Sequence, residues 1–304
     1  MASSSSLQDD SEALAYGDAL QLQSGFRSSE DYQQWAEPCL MAIAIFEKHL
    51  DHWRIARTLG KVLGFRTNRA GRYALAIQYF ERGVALCEQI GDQHTLGDIL
   101  DNYSEVRRAL GEYEEAMRLA QASLAARRAV GDKRGAAFSF YLLGDLAWRL
   151  GNLDDALRYS RQSVSLFTEL GITYGLDAAL NNLGNIACSL GDLAAARRQF
   201  ALILQPKLAS NALEESNIVP WALTGMADVL RQEGRAAQAV ELVEQVLRHP
   251  NNWQEYKDRA TKLRSKLAAH LFPEEMAAAQ ARGQTHALSA AVRELFMERG
   301  PGTP

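Results

Sequence analysis

Only seven prolines occur in 304 residues, too few for the closely spaced turns of an all-β chain. Cysteine is scarce too: Cys39, Cys87 and Cys188 lie far apart, without metal-ligand spacing. That excludes a disulfide framework and suits a reducing, cytoplasmic setting. The longest apolar run, Cys39 to Phe46, is too short to span a bilayer, so no membrane partner is expected. Neither sign of charge dominates, and the net charge of −4 gives no general pull towards nucleic acid. No apolar segment follows the serine-rich Met1 to Ser6, so a secretory signal is not expected there. Residues 1–11 are expected to be a disordered leader, of which Met1 to Ser6 reads alternatively as a non-native addition.

Catalytic signatures are missing as well. There is no glycine-rich loop ending in Gly-Lys-Ser/Thr, no Gly-x-Ser-x-Gly and no His-Glu-x-x-His. His49 and His52 stand three apart at an expected helix end, but no carboxylate or third ligand is spaced to complete a metal site. They read as helix-terminal histidines favoured by the helix dipole. The expectation is a protein that is not an enzyme and carries neither metal nor cofactor.

What the chain does have is a comb of glycines. Gly71, Gly111, Gly151 and Gly191 recur every forty residues, each followed five positions later by Ala76, Ala116, Ala156 or Ala196. Seven residues before each glycine stands a small residue, Gly64, Ser104, Gly144 or Gly184, preceded by a large one, Leu63, Tyr103, Leu143 or Leu183. A second turn signal runs in phase at Gly91-Asp92, Gly131-Asp132 and Gly171, with Asp51 in the equivalent slot one period earlier. A period of this length means stacked supersecondary units.

Each unit reads as two helices. Leu96, Ile99, Leu100, Tyr103, Val106 and Leu110 form an apolar stripe at spacings of three and four. Gly111 then permits the positive φ that ends this helix, and Glu112, Glu114 and Glu115 open the next near its positive end. Small residues such as Ser104 and Ala116 belong where two helix backbones approach. Projected towards the N-terminus, the period gives a repeat with helices near Glu12 to Phe26 and Tyr32 to His49, with Ser24 and Ala36 in the small slots and Asp31 in the glycine slot. Towards the C-terminus, Ala227, Gly234 and Ala239 keep the spacing after a longer connection containing Pro206 and Pro220. A helix from Trp253 to His270 and a tail from Phe272 follow.

These residues resemble the tetratricopeptide-repeat (TPR) family. Its pattern of large residue, small residue, glycine seven on and alanine five beyond is met at Leu143, Gly144, Gly151 and Ala156. The usual repeat has thirty-four residues, whereas the forty-residue form here is similar to kinesin light chains, to the Leu-Gly-Asn adaptors and to the sensor arrays of bacterial STAND-type regulators. The resemblance implies an all-α fold, a right-handed TPR superhelical solenoid of about six helix-turn-helix repeats with a C-terminal capping helix. The solenoid would span residues 12–249 and capping helices 250–299, with a disordered tail at 300–304.

In such arrays the first helix of every repeat lines the concave groove. By the resemblance, groove positions fall on Lys61, Phe65 and Arg69, then on Asn102 and Arg108. They continue at Tyr141, Asp145, Trp148 and Arg149, then Asn181, Asn182 and Asn185, and end at Trp221. The groove opens on a basic section, with Arg54, Arg57, Lys61, Arg66, Arg69 and Arg72 and no acid between His52 and Phe80. Its guanidinium groups suit a carboxylate or phosphate, or else pair across the stack with Asp98, Asp101 and Glu105. Asn182 and Asn185 match groove positions that, in the family, contact a ligand's main chain; the other reading of the asparagines is that they bond between neighbouring helices. The function implied is a non-enzymatic scaffold for a protein or peptide segment, an acidic one among the candidates. The alternative is a ligand-sensing domain cut from a STAND-type signalling ATPase or transcriptional regulator. Oligomeric state is not readable from the chain.

Overall fold

The computed structural model describes residues 13–19, 32–250 and 254–297, and every regular element among them is helical. The leader at 1–11, Ser24, Asp31, Trp253 and the tail at 300–304 lie outside the described residues. Two compact units divide the chain, residues 1–151 and 152–304.

In the first unit, α1 (Tyr32–Lys48) leads into one long helix made of three parts. These are α2 (His52–Arg57), a π-helical turn (Thr58–Gly64) and α3 (Phe65–Arg69). Then come α4 (Tyr73–Ile90), α5 (Gln93–Ala109), α6 (Tyr113–Ala129) and α7 (Lys133–Arg149). The second unit holds α8 (Leu153–Glu169), α9 (Thr173–Ser189), α10 (Leu193–Ala209), α11 (Val219–Gln232) and α12 (Ala236–Arg248). It closes with α13 (Gln254–Ala268), α14 (Pro273–Thr285) and α15 (Leu288–Met297).

The helix ends follow from the comb. Gly91 and Gly111 adopt φ of 73° and 81°, left-handed corners that residues with a Cβ adopt only at a cost. Asp51, Asp92, Asp132 and Asp192 cap the helices after them, each accepting a hydrogen bond from the backbone N–H three residues on, at 2.8–3.0 Å. The small slots hold close approaches. Buried Ser104 donates its hydroxyl to the Ala116 carbonyl at 2.8 Å, pinning α5 to α6.

Two expectations need correction. Spacing places Asp51 in a glycine slot, but Asp51 is the cap and Leu50, at φ 53°, makes the left-handed corner. One more residue therefore separates this corner from Gly71 than separates Gly91 from Gly111, and the helix absorbs it as the π turn. Pro206 is likewise not in a connection. It lies inside α10, near its end, where its missing N–H leaves the carbonyl of a residue as exposed as Leu202 to solvent, while Pro220 occupies the first turn of α11.

At the C-terminal end, α13 packs on α11 and α12, α14 packs along α12, and α15 reaches α10, where Arg197 donates to the Leu295 carbonyl at 3.1 Å. These helices cover the apolar side of the final repeat, as the end of a stack requires.

Candidate binding surface on the first helices

In the first unit the leading helix of each pair lies beside the next, the π turn against α5 and α5 against α7. Lys61, in the π turn, forms an ion pair with Asp98 of α5. On α3 the Arg69 guanidinium stands 5.9 Å from the centre of the Phe65 ring. Asn102 of α5 donates its amide to the Asp98 carbonyl at 2.9 Å, so part of its capacity is used within its own helix. Arg108 of α5 and Arg149 of α7 converge on the buried Asp145 carboxylate, at 3.7 and 2.8 Å. Arg149 also lies 5.9 Å from the Trp148 ring and 5.8 Å from Tyr113. Tyr141, one turn before Asp145, shares its face of α7. Two guanidinium groups thus share one buried carboxylate beside two half-buried aromatic rings.

Beneath this surface is a charged cluster that spacing alone did not single out. Arg127 of α6, its side chain 5% exposed, pairs with Asp98, with Asp101 at 3.4 Å and with Asp132 at 2.6 Å. Ser139 of α7 donates to Asp101 at 3.0 Å. Burial pushes the Asp101 carboxyl up to about 7, against the pull of Ser123, Arg127 and Ser139. Burial would raise Asp98 too, but hydrogen bonds from Lys61 and Arg127 outweigh it and hold that carboxyl below its ordinary range. A sequence signal for the cluster exists in Gly97 and Gly135. A Cβ on either would stand 2.6 or 2.4 Å from Arg127 Nε, so both glycines make room for the buried guanidinium.

The second unit treats its predicted residues differently. Asn181, Asn182 and Asn185 on α9 are each 3% exposed. Arg259 of α13 donates to the Asn185 side-chain carbonyl at 2.8 Å, and Tyr256 of α13 lies against the Trp221 ring of α11, centroids 4.4 Å apart. Asn181 Oδ1 is buried without a hydrogen-bond partner among the described residues. Asn185 and Trp221 are thus engaged by α13 of the same chain. Nothing in the forty-residue period predicts this, because α13 is not part of the repeat.

Three overlapping matches to the tetratricopeptide-repeat family cover residues 54–129, 96–169 and 135–205, together half of the chain. The chain belongs to the TPR family. No curated protein matches it. Among solved structures, this TPR array is similar to BtubC (BKLC) from P. vanneervenii, with 17% identity, a TM-score of 0.51 and coverage of 75% of this chain and 93% of that one. A kinesin light chain of P. anserina with nearly identical TPR-like repeats gives 17% identity and a TM-score of 0.50, over 68% of this chain and 96% of that one. A Rap protein complexed with Competence and Sporulation Factor gives 15% identity and a TM-score of 0.59, over 95% and 87%. At these identities the likeness shows the TPR solenoid fold.

Proposed function

We propose that this TPR array is a non-enzymatic scaffold that holds a protein or peptide segment against the first helices of its repeats. The observation that carries the reading is the cluster on α5 and α7, where Arg108 and Arg149 share Asp145 between Tyr141 and Trp148. It offers charge-assisted hydrogen bonds beside apolar ring faces, the combination that fixes an acidic segment in place. The Rap neighbour, solved with a bound factor, supports a ligand-holding role for the array. In the second unit, Asn185 and Trp221 are already engaged by Arg259 and Tyr256 of α13. A cytoplasmic setting fits the three buried free cysteines.

Photo-crosslinking tests this. A photoreactive residue at Tyr141 is expected to capture a defined partner from source extract, and the same residue at Tyr159, on the second helix α8, is not. Equal capture from both positions would remove the support for the first-helix surface.

A further inference from the structure

Between residues 52 and 69 the exposed side chains are Trp53, Arg57, Lys61, Phe65 and Arg69, and no others. They fall at uninterrupted steps of four, and they comprise two aromatic rings, three cations and no acid. In an α-helix a step of four advances about 40°, so four such steps would wind the ladder about 160° around the axis. The π turn at Thr58–Gly64 takes more than four residues per turn, so steps of four within it rotate the opposite way. The extra residue of this helix therefore straightens the ladder into one ribbon, with every other side chain of the helix at least partly buried. Without it, Trp53 and Arg57 would face away from Phe65 and Arg69.

We infer that this ribbon is a docking strip for an acidic peptide segment that also carries apolar side chains. The inference deepens the proposed function and rests on it. Trp53 is 44% and Phe65 36% exposed, large for aromatic rings on a helix otherwise packed into the stack. Arg57 lies 5.3 Å from the Trp53 ring centre and Arg69 5.9 Å from that of Phe65, so cation and ring are presented in pairs. Lys61, between the pairs, is held by Asp98, whose carboxylate Arg127 also engages. An incoming carboxylate can replace Asp98 at Lys61 while Asp98 keeps Arg127. Single-stranded nucleic acid would need open ring faces for its bases, and here an arginine lies over each ring.

The test is a fluorescence-anisotropy titration of the full chain with a dye-labelled peptide of about ten residues, alternating glutamate pairs with leucine and phenylalanine. The glutamine version of the peptide and a labelled oligothymidine serve as competing probes. Arg57→Glu/Arg69→Glu is expected to weaken binding of the acidic peptide by about tenfold or more, with the loss growing at low salt. Trp53→Ala and Phe65→Ala each weaken it severalfold, and Arg158→Glu on α8 leaves it unchanged, with circular dichroism showing every variant folded. Equal binding of the glutamine peptide, tighter binding of oligothymidine, or no binding of the acidic peptide overturns the strip. Binding that survives the ribbon variants but is lost on Arg108→Glu/Arg149→Glu overturns the strip and leaves the first-helix reading standing.

Discussion

Arg127→Leu is expected to destabilise the first unit by about 3–5 kcal/mol, the cost of leaving buried charge without its partner. Three aspartates converge on this guanidinium, Asp98 from one end of α5, Asp101 one turn on and Asp132 from the cap of α7. Asp98 retains Lys61 and Asp132 retains the Gly135 N–H, but Asp101 is left with hydroxyl donors alone in a largely buried place. Arg127→Lys keeps the charge and loses the planar fork, so it falls between wild type and leucine. The double variant Arg127→Leu/Asp101→Leu recovers part of the loss, because the stranded carboxylate goes with its partner. Urea denaturation followed by circular dichroism reads all three. A loss below about 1 kcal/mol for Arg127→Leu would mean that the cluster is solvated and that α5, α6 and α7 are joined by apolar packing alone.

Phe200→Ala is expected to cost the second unit about 3–5 kcal/mol. The Phe200 ring is fully buried, and it fills the space that two glycines leave open. A Cβ on Gly184 of α9 would stand 2.5 Å from Phe200 Cε1, and one on Gly225 of α11 would stand 2.2 Å from Cζ. One side chain on α10 thus sets the distance between consecutive first helices. Gly225→Val alone overpacks the site, at about 1–3 kcal/mol, but in the Phe200→Ala background it fills the cavity and costs less. Additive losses in the double-mutant cycle would show that the ring and the glycine do not share one space.

Much of the fold is legible in the sequence because turns and close approaches constrain single residues. Only glycine takes a corner such as Gly91 or Gly111 without strain, and only a small residue lets α5 approach α6 at Ser104. The repeat lengths, the helix pairing and the family follow from those positions. The π turn escapes the comb because Leu50 takes a left-handed corner that the pattern reserves for glycine, which hides a one-residue insertion. Its consequence for Trp53 and Arg57 is a matter of helical phase, invisible in spacing counted from Gly64. Lys61, Phe65, Arg108, Asp145 and Arg149 occupy the first helices, as the family pattern implies. The hydrogen bond that occupies Asn185 comes from Arg259, some seventy positions away on a helix outside the period, and no local signal encodes that contact.

Ligands are proposed to meet the first helices of the first unit. Hydroxyl-radical footprinting of the full chain, with and without its crosslinked partner, tests it most directly. Trp53, Phe65, Tyr141 and Trp148 are expected to be protected, with Tyr159 and Leu202 on the second helices unchanged. Protection confined to Tyr159 and Leu202, with the four first-helix residues as reactive as before, would contradict it.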